Sequence, residues 1–520
     1  MSTAPLNVVL ISLDSTRADY LSCYGYSSPT GEATSPRIDG LALHGVRFDQ
    51  AVSTSSWTLP AHHALFSGLP DLLHGATGNA IGVSPDRIVL ARRLRDAGYQ
   101  TAGFFSGPYL HEMFGFAEGF DQYEDASGLT TSNPRSPSSS VDPTNPTDPG
   151  GVDLEVASHR VISARQVSNC ALRFLESRDC ERPFFLFLHY FDVHYDYIPA
   201  DDSYARRFRS IDLQTSLPGD ALIRDFISNP AVHAGMPAND LQYIKCSYAG
   251  EIHWVDEQVG RLLDELDRSG LSSNTVVILV ADHGDEFFEH GEKGHRKNLY
   301  DSTLRIPLIL RAPGFLPAGK VIQKRASIVD VAPTILDLVG RYPRPAPPTG
   351  TLHDGMWGRS LLPVIAGKES PAPAVGFFRD RQKTREITRW SLWDSSLKVI
   401  VNQWWEATPD GVSTLRSEEV EVFDLVTDPL ECSNLHHQGR SDVEDLLCLF
   451  DRVHQSLVEA QPGFRAGPCP RTSAEVSQLL PSLGYVEADL RDSDVNQAPR
   501  TVSETLPPVP RPGSGRKKPR

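Results

Sequence analysis

Four stretches of this 520-residue chain carry side chains with the chemistry of a reactive site. Asp14 follows the apolar run Val8–Leu13, which puts a carboxylate where a buried strand ends. Thr58 stands just before Pro60, and proline favours the first turn of a helix. A hydroxyl at a helix N-terminus meets free N–H groups and a dipole that favours anions. Asp192-Val193-His194 follows the run PFFLFLHY and offers a general acid or an anion contact. Asp282-His283-Gly284-Asp285 follows TVVILV, with His290-Gly291 and Gly294-His295 close behind. Carboxylate beside imidazole suits a divalent metal.

Each stretch alone has a plainer reading. Asp14 would cap a turn, Thr58 would cap a helix, and His194 would pack against Tyr195 and Tyr197. The Asp282 segment would be a polar loop. Together they point elsewhere. Three strands each end in a ligand or proton donor, and a helix start carries a hydroxyl. In-line attack on a tetrahedral anion needs that set.

The elements that must position these groups alternate. Strands are expected at Val8–Leu13, Tyr99–Ser106, Pro183–Tyr190 and Thr275–Val280. Helices are expected at Pro36–His44, Asp86–Ala97, Val156–Ser177 and Tyr248–Ser269. In the last of these, Ile252, Val255, Val259, Leu262, Leu263 and Leu266 share one face. Alternating strands and helices imply a doubly wound α/β domain, whose functional groups gather at the carboxyl edge of the sheet. Ser127–Gly151 reads as a long loop. After residue 370 the pattern changes to the strands Ala374–Phe378, Leu397–Asn402 and Glu419–Asp424, with a helix at Asp442–Ala460. The domains are therefore expected at 1–370 and 371–497, with 498–520 a disordered basic, Pro-rich tail.

Composition narrows the function. A net charge of −16 argues against a nucleic-acid partner, and it means an anionic substrate must be drawn in by a local cationic site. Seven cysteines with no Cys-x-x-Cys pair fit reduced thiols in a reducing compartment. No apolar run approaches the roughly 20 residues of a membrane span, and the N-terminus does not read as a signal peptide. A cytoplasmic protein with no membrane partner is expected.

The sequence resembles the sulfatase family of the alkaline-phosphatase superfamily, from about Asn7 to Leu435. NVVLISLDSTRADYLSCYGY, TSPRIDGLALHGVRFDQAV, the Thr58 segment, PFFLFLHYFDVH, GEIHWVDEQVGRLLDEL, TVVILVADHGDEFFEHG, YDSTLRIPLILRAPG, DGMWGRSLLPVIAG and VFDLVTDPLECSNL follow in that family's order. The resemblance implies an alkaline-phosphatase-like sheet with helices on both faces, and a smaller C-terminal α+β subdomain. It implies Asp14, Asp282 and His283 as metal ligands and Thr58 as nucleophile and fourth ligand. Arg17 would support the ligands or the anion. His62 falls where many members carry an arginine. His194 and His295 would contact the anion or act as acid.

Two departures bear on mechanism. Family sulfatases convert Cys or Ser within C/S-x-P-x-R to formylglycine, and Thr58-Leu-Pro-Ala-His62 cannot form that aldehyde. Ser15 replaces the second aspartate of the usual pair. A threonine nucleophile resembles the superfamily's phosphodiesterases and transferases, whose second metal uses Asp-x-x-x-His. Asp192-x-His194 does not keep that spacing, which argues against a second complete metal site. The expectation is a metal-dependent hydrolase of small anionic phosphate or sulfate esters, with phosphoester hydrolysis favoured. Zn or Mn fits the mixed ligands better than Ca or Mg. The rival readings are a sulfuric ester hydrolase without formylglycine, a phospho-group transferase, and a non-catalytic binding module.

Overall fold

The computed structural model describes residues 5–77, 90–127, 163–342, 352–381, 384–407 and 413–461. Nearly all of the Ser127–Gly151 loop, the starts of the Asp86 and Val156 helices, and the tail Ala498–Arg520 lie outside them. β1 (Asn7–Leu13) leads to α1 (Pro36–Leu43), β2 (Val46–Val52), α2 (Thr58–Ser67), α3 (Leu90–Asp96) and β3 (Gln100–Phe105). β4 (Gln122–Asp125), α4 (Ala164–Ser177), β5 (Phe184–Tyr190), α5 (Ala238–Arg268) and β6 (Thr275–Ala281) follow. The short hairpin β7 (Glu286–Phe287) and β8 (Lys293–Gly294) precedes β9 (Leu308–Arg311), β10 (Lys320–Ser327) and α6 (Val331–Leu338).

The main sheet has the order β10-β2-β9-β6-β1-β5-β3-β4. β1, β5 and β6 are buried at every residue, as strands covered on both faces must be. They are parallel neighbours, whereas β9 runs antiparallel to β6 and β2, so the sheet is mixed. Register decides where the site lies. Leu13 pairs with Tyr190 on one side and Ala281 on the other, while Ser12 pairs with His189. The three strands therefore end level, and Asp14, His189 and Asp282 arrive at one sheet edge.

α5 starts at Ala238, earlier than the expected Tyr248, because the buried face continues back through Cys246 and Ile244. Its Asp256 accepts from the N–H groups of Arg37 and Ile38, so it satisfies the start of α1, whose own N-cap Ser35 makes no cap bond.

The C-terminal region is a four-stranded antiparallel sheet, β11 (Ala374–Arg381), β12 (Arg385–Asp394), β13 (Leu397–Ala407) and β14 (Ser413–Asp424), packed under α7 (Ser441–Ala460). β12 was not expected from sequence. Its inward row includes Glu386 and Thr388, which bind Arg379 and Gln403, so the usual apolar alternation is hidden. The core of this sheet, with Trp390, Val399 and Phe450, also takes in Leu69 and Leu73, just beyond α2.

Candidate active site

Thr58 is the first residue of α2, and the residue before it, Trp57, makes no side-chain cap. The Thr58 hydroxyl is thus not spent on the helix. Its Oγ1 lies 3.4 Å from Asp14 Oδ2 and 3.3 Å from His283 Nε2, and the side chain is buried. The nucleophile candidate and the ligand candidates meet, although Asp14, Thr58 and His283 are far apart in sequence.

The donor atoms of Asp14, Asp282 and His283 all lie within 4.8 Å of one another. Each residue commits one polar atom to the surrounding fold and keeps another for the centre. Asp14 Oδ1 accepts from the Ser15 hydroxyl at 2.8 Å. Asp282 Oδ1 accepts the N–H groups of Ser15 and His283, while its Oδ2 is buried without a hydrogen-bond partner. His283 Nδ1 is 3.1 Å from the Gly284 carbonyl, which leaves Nε2 for the centre. A Cβ at Gly284 would sit 2.5 Å from the Ser302 carbonyl oxygen, which explains the glycine in this loop. Ser15 is held in the left-handed region at φ 50 and acts by hydrogen bonding.

The electrostatics are those of a cation site. Burial pulls the Asp14 carboxyl upward, but the His189 contact and the charge of His194 and His283 overcome it and hold it well below the usual carboxylate range. Burial and the neighbouring Asp14 charge push Asp282 well above that range. Burial and His295 push His283 down to about 4, so it is a neutral imidazole at pH 7, the ligating form. Two fully buried carboxylates and an unpartnered Asp282 oxygen fit a divalent ion.

His62 is committed at both nitrogens. Nδ1 is 2.8 Å from the Thr58 carbonyl and Nε2 is 2.9 Å from Ser12 Oγ. Burial, then His189, holds its pKa well below the ordinary histidine value. It is a neutral brace at the start of α2, not the fixed cation an arginine would be. Arg17 is likewise spent: it binds Asp19 through two nitrogens, Glu289 at 2.7 Å and the Asp285 carbonyl at 3.0 Å. It ties the loops after β1 and β6 together.

His194 and His295 flank the centre, with ring centroids 4.9 Å apart, and His295 is 4.4 Å from His283. His194 Nδ1 meets the Tyr195 carbonyl at 2.6 Å, and the ring stacks on Phe191. His295 Nδ1 meets Asp285 Oδ1 at 2.6 Å, and Tyr197 donates to Asp285 Oδ2 at 2.6 Å. Asp192 stands apart from the site, because its oxygens take Ser163 and Trp254 Nε1.

Asp285, Tyr197 and His189 were not among the expected site residues. Asp285 was visible beside Asp282-His283-Gly284, but nothing in the sequence tied it to His295 or Tyr197. His189 is the one imidazole in the apolar run PFFLFLHY, a signal that a core strand masks.

The Sulfatase family model matches residues 6–341. The chain is 23% identical to N-acetylglucosamine-6-O-sulfatase of Bacteroides thetaiotaomicron, covering 88% of this chain and 87% of the relative. It is 25% identical to the multifunctional alkaline phosphatase superfamily protein PehA of Trinickia caryophylli, covering 82% and 91%. Among solved structures, the phosphonate monoester hydrolase of Agrobacterium radiobacter shares the fold at a TM-score of 0.62 and 22% identity, over 88% of this chain and 96% of that one. A solved structure in complex with its substrate D-glucosamine-2-N,6-O-disulfate matches at a TM-score of 0.63 and 20% identity, over 90% of this chain and 100% of that one. With the family model spanning most of the main sheet and the four stretches that meet at its edge, this chain belongs to the Sulfatase family and is a hydrolase of ester bonds.

Proposed function

We propose that the chain hydrolyses a phosphate or sulfate ester, phosphate mono- or diesters foremost, by attack of the Thr58 hydroxyl. The observation that carries this reading is the buried Thr58 Oγ1 between Asp14 Oδ2 and His283 Nε2. Asp14, Asp282, His283 and Thr58 would together hold one divalent ion, Zn2+ or Mn2+ by the mixture of carboxylate and imidazole. Bound there, the ion supplies Lewis-acid chemistry: it lowers the pKa of the hydroxyl and balances charge on the transferring group.

The chain's own residues do the rest. Thr58 Oγ1, after losing its proton to solvent, forms the bond to phosphorus or sulfur as the bond to the leaving oxygen breaks. His295, held through Nδ1 by Asp285, presents Nε2 to the leaving oxygen and gives it a proton. His194 fills the same role from the other side or holds the anion. Water then attacks the Thr58 ester, the same histidine takes its proton, and the threonine oxygen leaves. His62 holds the first turn of α2 in place and adds no charge. Formylglycine has no part in this scheme, since the Thr58 methyl bars the aldehyde.

A phosphonate monoester hydrolase and a multifunctional superfamily member among the similar proteins support acceptance of phosphorus esters. The sulfatases among them support the second reading, a sulfuric ester hydrolase that works without formylglycine. A cytoplasmic setting belongs to this reading, supported by free cysteines at 23, 170, 180, 246, 432 and 448. The described residues contain no helix long and apolar enough to cross a membrane.

The test is Thr58→Ala, assayed with metal-loaded protein on aryl phosphate, phosphodiester, phosphonate ester and aryl sulfate. Loss of about 10³-fold or more in kcat on the preferred ester is expected for removal of a nucleophile. Full activity in the variant would remove Thr58 from the mechanism. Sulfate release above phosphate release in the wild type would select the second reading.

A further inference from the structure

We propose that His189 is a further ligand of the divalent ion, supplying through Nε2 a donor that Ser15 does not. The proposal rests on the metal reading above.

His189 is the sixth residue of β5 and is only 1% exposed. Its Nδ1 lies 2.8 Å from the Ser106 carbonyl, which can only accept, so Nδ1 carries the hydrogen. Nε2 is then the nitrogen turned toward Asp14. That atom is buried without a hydrogen-bond partner and sits 3.3 Å from Asp14 Oδ2.

His189 is drawn to the same centre from two sides, by its contact with Asp14 and by a donor atom within 4.8 Å of one on Asp282. Ligand bonds of about 2.1 Å set neighbouring donors about 3.0–3.6 Å apart in a five-coordinate shell, which His189 would complete. Around this centre the donor contacts are 3.3 Å for His189 Nε2 to Asp14 Oδ2 and 3.4 Å for Thr58 Oγ1 to Asp14 Oδ2. They are 3.3 Å for Thr58 Oγ1 to His283 Nε2 and 3.5 Å for His283 Nε2 to Asp282 Oδ2. His189 also repeats the pattern of the other candidates, with one polar atom fixed by the fold and one left for the centre. His62 Nδ1 lies 3.7 Å from Asp282 Oδ2, but both of its nitrogens are committed, so it is not the extra donor. The strand register places His189 beside Ser12, one residue short of the sheet edge, so its ring reaches the centre from below.

The experiment loads wild-type protein with one equivalent of Mn2+ and counts the coupled imidazole nitrogens by pulsed EPR. Mn2+ affinity is measured in parallel by titration calorimetry. Two directly bound nitrogens are expected in the wild type, and one in each of His189→Gln and His283→Gln. His189→Gln should also bind Mn2+ at least about tenfold more weakly, with a metal-free circular-dichroism spectrum matching the metal-free wild type. Mn2+ uptake with a single bound nitrogen in the wild type would overturn the assignment and leave the metal reading standing. That measurement needs no variant to fold. An unchanged nitrogen count and affinity in a folded His189→Gln would overturn it equally. No stoichiometric uptake by the wild type would overturn the metal reading, and the assignment with it.

Discussion

Ser15 donates its hydroxyl to Asp14 Oδ1 where the family resemblance leads one to expect a second aspartate. The centre is left with two carboxylates, Asp14 and Asp282, and the neutral imidazole of His283. Two negative charges balance one divalent ion, so a full charge complement needs no further acid. Without the ion, two buried carboxylates face each other, which the opposed directions of their pKa values reflect. Metal binding should therefore stabilise the fold. At a free metal concentration a hundred times the dissociation constant, chelator-treated protein should gain about 2.7 kcal/mol in urea denaturation. Asp282→Asn should lose most of that gain. A wild type equally stable with and without metal would contradict the charge argument. At this scale the sequence was informative where a reactive type ended a strand, as at Asp14 and Asp282. It was silent on His189 and Tyr197, because their roles depend on strand register and on a loop reaching back to the sheet edge.

α5 is the element on which the loops of the site rest. Its Tyr248 donates to the Ser15 carbonyl at 2.6 Å and accepts from the Arg17 N–H at 2.8 Å, which fixes the turn after β1. Its Asp256 takes the place of a cap on α1. Burial pushes the Asp256 carboxyl up to about 7, although the two N–H groups pull the other way. The folded state then binds this proton more tightly than the unfolded chain does. The group's contribution to stability is full below the unfolded pKa near 4 and is lost as pH rises to about 7. The difference in unfolding free energy between wild type and Asp256→Asn should fall across that window, with a slope of up to about 1.4 kcal/mol per pH unit. A difference that stays flat from pH 4 to 7 would show that the carboxyl ionises freely in the fold. Elements with dense apolar faces were legible: β1, β5, β6 and most of α5. β9, β10 and β12 were not, since β9 is short, β10 is half exposed and β12 turns polar side chains inward.

Across the whole molecule, the C-terminal sheet braces both sides of the site. Phe377 of β11 donates its N–H to the Thr54 carbonyl, just before α2. Lys398 of β13 is fully buried and binds Asp301 at 2.8 Å and Glu431 at 2.6 Å, while Trp393 Nε1 also reaches Asp301. Asp301 opens the short helix Asp301–Leu304, which follows His295 on the way back to β9. The alternation of strand and helix in the sequence shows two regions, but it does not show that one clamps the other's catalytic loops. Lys398→Met would strand Asp301 and Glu431 without their cation. Breaking such a buried pair costs about 3–5 kcal/mol, and chemical denaturation should show a loss of that size. A loss below about 1 kcal/mol would mean that the clamp is dispensable.

In the proposed mechanism one hydroxyl and one cation share an anion at the end of β1. A crystal structure of the metal-loaded protein with orthovanadate tests it most directly. Vanadium bonded to Thr58 Oγ1 is expected, with the ion held by Asp14, Asp282 and His283. Vanadate seated in the site with Thr58 Oγ1 out of bonding distance, or an ion bound away from those three residues, would contradict it.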